Sequence, residues 1–82
     1  MAEETQVDVV ATCRMACKMQ HDGEFKYYKD MAIYVKQTLD KKIGGSWHVI
    51  VGTNFGSFVT YENQCMYLFW LEQIGFLVFK HG

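Results

Sequence analysis

The chain has 82 residues, enough for one domain near the size at which a single core yields only about 3–5 kcal/mol of stability. Half of it is hydrophobic and 16% is aromatic, yet no apolar run nears the ~20 residues that span a bilayer. A net charge of -1 with scattered Lys and Arg excludes the concentrated positive field that nucleic acid requires, and three Cys, an odd number, argue against a disulfide framework.

The acidic start Met1-Ala-Glu-Glu-Thr-Gln lacks the basic and apolar stretches of a signal peptide. The expectation is a soluble intracellular protein with reduced thiols, whose small core is supplemented by oligomerisation.

In chain order, residues 1–6 read as flexible, and the short β-branched run Val7-Asp-Val-Val10 predicts a leading strand. From Cys13 to Gln20, Cys13, Met15, Ala16, Cys17 and Met19 recur at helical spacings, and His21-Asp22-Gly23 supplies a stop. A second helix follows from Tyr28, Met31, Ala32, Val35 and Leu39, with Lys41 and Lys42 at its negative end and Gly44-Gly45 closing it. Beyond Gly45 the sequence turns to Val, Ile, Phe, Tyr and Trp, with polar or glycine-bearing punctuation at 52–54, 62–64 and 73–75. Strands are expected at Trp47–Val51, Phe55–Tyr61, Cys65–Leu71 and Phe76–Lys80.

Two of these runs, Cys65–Leu71 and Phe76–Phe79, barely alternate, so they place apolar groups on both faces of a sheet. Two short helices cover one face, and a second copy of the sheet is the economical cover for the other. The sequence therefore predicts a dimer.

Gly56 interrupts the strand run Asn54–Tyr61, and a glycine there marks either a bulge or another backbone passing close by. A partner segment added as an extra strand would use that room. His48, beside Trp47, is either a satisfied structural histidine or one buried at a subunit interface, where desolvation opposes the protonated form and acid would dissolve the dimer.

Cys13, Cys17 and His21 share one helix face, but zinc sites join ligand pairs from separate segments, and core packing of the cysteines is the plainer reading. No nucleophile, base and orienting group share a known spacing, and Gly52-Thr-Asn-Phe-Gly56 has no P-loop lysine. The expectation is a protein that is not an enzyme and carries neither metal nor cofactor. The apolar stripe of the helix from Tyr28 is what sheet packing requires, with no membrane role.

Read in order, Leu39-Asp-Lys-Lys42, Trp47-His-Val-Ile-Val-Gly52, Asn54-Phe-Gly-Ser-Phe-Val-Thr60 and Leu77-Val-Phe-Lys80 with Gly82 resemble the eight-kilodalton dynein light chains, over a stretch from Lys29 to the C-terminus. The resemblance implies an α+β fold of two helices on a five-stranded antiparallel sheet, in a homodimer that exchanges the strand Phe55–Tyr61. It implies two symmetric grooves, each taking an extended segment of dynein intermediate chain or another disordered partner, often centred on a Gln beside Thr.

Carried over by position, Tyr28, Lys29, Asn54, Phe55, Gly56, Ser57, Phe58, Val59, Thr60, Tyr61, Met66, Leu68 and Trp70 would bind the partner, supported by Gly75 and Leu77. His48, Phe55, Ser57 and Val59 would form the dimer interface. Tyr28 stands where the family commonly has Glu, Thr53 replaces Arg, Tyr61 replaces His, Leu68 replaces Tyr, and His81 replaces a Ser. The implied setting is a microtubule-associated motor complex, that of the cytoplasm or that of a cilium or flagellum. The alternative is a general dimerisation hub for non-motor partners.

Overall fold

The computed structural model describes residues 2–53 and 66–81. The first helix, α1 (Glu3–His21), opens on Glu3 and Glu4 and closes on Lys18 and His21, charges that suit the two ends of the helix dipole. Val9, Thr12, Cys13 and Ala16 form its buried stripe, and the Thr12 hydroxyl donates to the Asp8 carbonyl at 2.9 Å, so this buried polar group is satisfied. The leading strand expected at Val7–Val10 does not form. Those residues are helical because Val9 joins the Cys13 and Ala16 stripe, and burial of that stripe outweighs the weak strand preference of valine. Helix begins at Glu3, inside the segment expected to be flexible.

The end of α1 is a wrapped turn in which Asp22 N–H donates to the Lys18 carbonyl and Glu24 N–H to Met19, both at 2.9 Å, around Gly23 at φ +87. Helix α2 (Tyr28–Lys42) follows, burying Met31, Val35 and Leu39 at i, i+4 and i+8. Asp30 in its first turn accepts the Tyr27 backbone N–H at 3.3 Å. At its other end Ile43 and Gly44 both donate to the Leu39 carbonyl, at 2.9 and 3.3 Å, and Gly44 and Gly45 turn the chain at φ +89 and +90.

Three antiparallel strands follow among the described residues: β1 (Ser46–Gly52), β2 (Met66–Leu71) and β3 (Ile74–His81), in the order β1-β3-β2. The strand expected at Phe55–Tyr61 lies outside the described residues. Leu71 pairs with Ile74, so the β2–β3 turn is Glu72-Gln73 rather than the expected Gln73–Gly75, and Gly75 lies within β3. Glu72 takes a positive φ of 57, a conformation that a two-residue hairpin imposes and glycine normally fills.

The core joins both helices to one side of the sheet through Val9, Cys13, Ala16, Met31, Val35, Leu39, Trp47, Phe76 and Val78. Asp40 fixes how α2 meets β1: its carboxylate accepts the Trp47 backbone N–H at 2.8 Å and the Lys36 ammonium at 2.6 Å. The buried Trp47 indole N–H donates to the Gly44 carbonyl at 3.0 Å. These hydrogen bonds hold the Asp40 carboxyl below the usual carboxylate range, the Lys36 bond contributing most and the Trp47 N–H next. A longer ion pair, Lys42 to Asp8 at 3.5 Å, ties α2 to α1 at the surface.

Candidate partner-binding face and groove

Side chains alternate across each strand, so the pairing register assigns every strand residue to one of two faces. Trp47, Val49 and Val51 of β1, Phe76 and Val78 of β3, and Tyr67, Phe69 and Leu71 of β2 pack toward the helices. The opposite face is built from three cross-strand rows: His48, Phe79 and Met66; Ile50, Leu77 and Leu68; Gly52, Gly75 and Trp70. Both α1 and α2 lie on the other side, so among the described residues no helix covers this second, largely apolar face.

The rows are ordered by their own contacts. The His48 ring stacks on Phe79 with centroids 5.0 Å apart and planes at 16°. Leu77, in the central row, is buried, while Ile50 and Trp70 at the flanks are each 48% exposed. Trp70 lies beside Gly75 and in line with Gly52, which present no side chain of their own.

The outer edge of β1 borders a cleft of about 350 Å³ formed by Ala32, Ile33 and Lys36 of α2 with His48, Ile50 and Phe79. Ile33 is 50% exposed there. Lys36, whose ammonium donates to Asp40, also lines this cleft. No other described strand pairs with the outer edge of β1, and a strand edge flanked by apolar walls can take a further strand, whose backbone would pair with β1.

Of the residues expected to bind partners or form the interface, His48, Met66, Leu68 and Trp70 are brought together on this one face. Gly75 and Leu77 share it. Tyr28 and Lys29 do not line the cleft; they are exposed at the head of α2, one turn before Ala32 and Ile33. Beside them the Tyr27 ring lies under two ammonium groups, Lys26 at 5.6 Å and Lys29 at 5.7 Å from its centre. Asn54, Phe55, Gly56, Ser57, Phe58, Val59, Thr60 and Tyr61 lie outside the described residues.

Sequence reasoning passed over Ile33, Lys36, Ile50 and Phe79. Ile33 carried a signal, because it is apolar yet out of phase with the Met31, Val35 and Leu39 stripe. Ile50 carried another, two residues from His48 and so on the same face.

Cys13 and Cys17 play no part in the face or the β1-edge cleft. Cys13 is in the core, where burial pushes its thiol far up, and half-buried Cys17 is raised by burial and by the Glu72 charge. Among the described residues no group of three or more His, Cys, Asp or Glu side chains is placed to hold a metal ion, and no helix is long and apolar enough to cross a membrane.

Two helices on one side of an antiparallel sheet, with an apolar second side and no described strand on the outer edge of β1, define a small α+β domain. The chain belongs to the dynein light chain type 1 family, whose model matches residues 1–81. Among solved structures it is similar to the dynein light chain-like domain of the Fasciola hepatica calcium binding protein FhCaBP2, with a TM-score of 0.79 at 22% identity over 100% of this chain and 84% of that one. A mercury derivative of the same domain matches with a TM-score of 0.75, again at 22% identity, with the same coverage of both chains. At that identity the likeness is one of fold.

Proposed function

We propose that this chain is a non-catalytic, homodimeric light chain of a dynein motor complex, which binds short extended segments of intermediate chain or other partners by β-strand addition. The observation that carries this reading is the helix-free apolar face. A single 82-residue chain that leaves Ile50 and Trp70 about half exposed on such a face has surface to gain by association.

In the proposed dimer, a second copy covers the rows through His48, Ile50 and Trp70, and residues 55–61 exchange between protomers alongside β1. The partner segment then pairs with the backbone of 54–61, in the place that the family resemblance assigns to it. Two such grooves related by a two-fold axis hold two segments at once. Engagement of the first makes the second effectively intramolecular, a gain of about 10²–10⁴ in avidity where the geometry permits. In this role the chain works in the cytoplasm on a microtubule motor.

Calorimetry of the full chain with an intermediate-chain peptide tests the reading, together with sedimentation to give the dimer mass. Gly56→Val is expected to weaken the peptide and leave the dimer, because the added branches block backbone approach. A monomer at micromolar concentration, or peptide affinity unchanged by Gly56→Val, would overturn it. Sedimentation between pH 7 and 4 tests His48: burial at the interface predicts loss of dimer on acidification.

A further inference from the structure

The β1-β3-β2 order leaves β2 on the outside of the sheet, at the end opposite β1, and no other described strand pairs with its outer side. The segment expected to form a leading strand is helical instead. What flanks this edge is α1. Its residues Glu3, Gln6, Val7, Val10 and Arg14 face Tyr67 of β2 across a groove of about 430 Å³. The groove continues past Arg14, which lines both parts, into a wider cleft of about 700 Å³ where Lys18 and His21 face Trp70, Leu71 and Glu72.

The lining residues of α1 recur every three or four positions, so one stripe of the helix runs beside the strand edge for its whole length. In its first half the stripe presents Val7, 63% exposed, and Val10 after the polar Glu3 and Gln6, and in its second half it carries the cations Arg14 and Lys18. Arg14 and Lys18 outnumber the single opposing carboxylate of Glu72. In a chain with net charge -1, cations thus outnumber carboxylates in the lining at one end of a strand edge that no other described strand pairs with.

We propose that the groove between α1 and the outer edge of β2 is a second strand-addition site, taking an extended acidic segment of a partner protein. The backbone of the segment pairs with β2, its apolar side chains meet Val7, Val10 and Tyr67, and its carboxylates meet Arg14 and Lys18. Antiparallel pairing is the more stable arrangement, and β2 runs toward the hairpin, so the acidic residues stand at the N-terminal end of the segment. This site is separate from the β1 edge, and the chain therefore takes two different strands on its two sheet edges.

The test is calorimetric titration of the full chain with a blocked synthetic peptide of three glutamates followed by alternating valine and threonine. The same peptide with three lysines is the comparison. The expected result is binding of the glutamate peptide only, weakened about tenfold or more in the double variant Arg14→Glu, Lys18→Glu. Ile50→Asp, on the helix-free face, is expected to leave this binding unchanged while it abolishes the dimer, and the peptide is expected to slow amide exchange along β2. Both charge reversals are on exposed positions of α1, and circular dichroism confirms their fold. No binding of the glutamate peptide, equal binding of the lysine peptide, insensitivity to the double variant, loss in Ile50→Asp, or unchanged exchange along β2 would each overturn the proposal. None of these outcomes bears on the partner groove of the proposed dimer, which the intermediate-chain peptide tests separately.

Discussion

Replacing Ile50 by Asp is the sharpest probe of the helix-free face. Ile50 is 48% exposed, so a partner protomer has about half of the side chain left to bury. Full burial of an isoleucine stabilises by about 1.5–3 kcal/mol, and half of that counted twice across a two-fold interface returns roughly 1.5–3 kcal/mol per dimer. Loss of this term alone weakens the dimer about tenfold to a hundredfold. The carboxylate adds the cost of desolvating an unpaired charge among Leu77, Leu68 and the Phe79–His48 stack, so dimer is expected to vanish at micromolar concentration. Sedimentation velocity over a dilution series gives the dissociation constant. Val7→Asp, at a similarly exposed valine on α1, is the control and should leave the dimer intact. A dissociation constant for Ile50→Asp equal to that of the parent chain refutes the assignment of this face.

Two further outcomes test the fold that positions the site. Asp40 has a lowered folded-state pKa, so its contribution is present above the ordinary carboxylate range and is lost as pH falls through that lowered value. Thermal midpoints of Asp40→Asn should therefore lie below those of the parent above about pH 5 and converge with them in stronger acid; a pH-independent gap contradicts the clamp. Gly44→Ala and Gly45→Ala each force a left-handed alanine at a cost of about 1–2 kcal/mol. The Gly45 change costs at least as much, because its Cβ also displaces the Lys80 side chain, and urea titration at fixed protein concentration resolves the pair. Stabilisation by either alanine would mean that the turn has a different backbone.

Helix α2 was legible because Met31, Val35 and Leu39 repeat at the helical period and the glycine pair after Lys42 has a mechanical meaning. Strands β1 and β3 were legible from their β-branched and aromatic composition. The N-terminal half of α1 was not: Val7-Asp-Val-Val10 has a local strand preference, and only the partner surface of α2 decides that Val9 is better placed on a helix. Glu72 hid the β2–β3 turn, since glutamate gives no sign of a positive φ. The Asp40 bridge to Trp47 was invisible because it joins two elements across a turn and follows no period. Apart from Gly52 and Gly75, which were read as punctuation between strands, the residues of the helix-free face were individually present in the strand runs, but assembling them into rows required the register, and register is a property of paired strands rather than of any one.

The same face ties function to stability. An 82-residue domain buries few large side chains, and among the described residues those that are fully buried lie between the helices and one side of the sheet. If association covers the other side, folding and dimerisation are linked by mass action, and the native state gains stability as protein concentration rises. The thermal midpoint of the parent chain should therefore increase with concentration, whereas that of Ile50→Asp should stay constant. A midpoint independent of concentration in the parent would mean that the monomer is stable without its partner. Coupling of this kind also bears on bivalent binding: a segment that pairs across the dimer stabilises the interface, and the interface in turn preserves the second groove. Partner peptide should then raise the dimer fraction at concentrations where the parent chain is half dissociated, a shift that sedimentation with and without peptide reads directly.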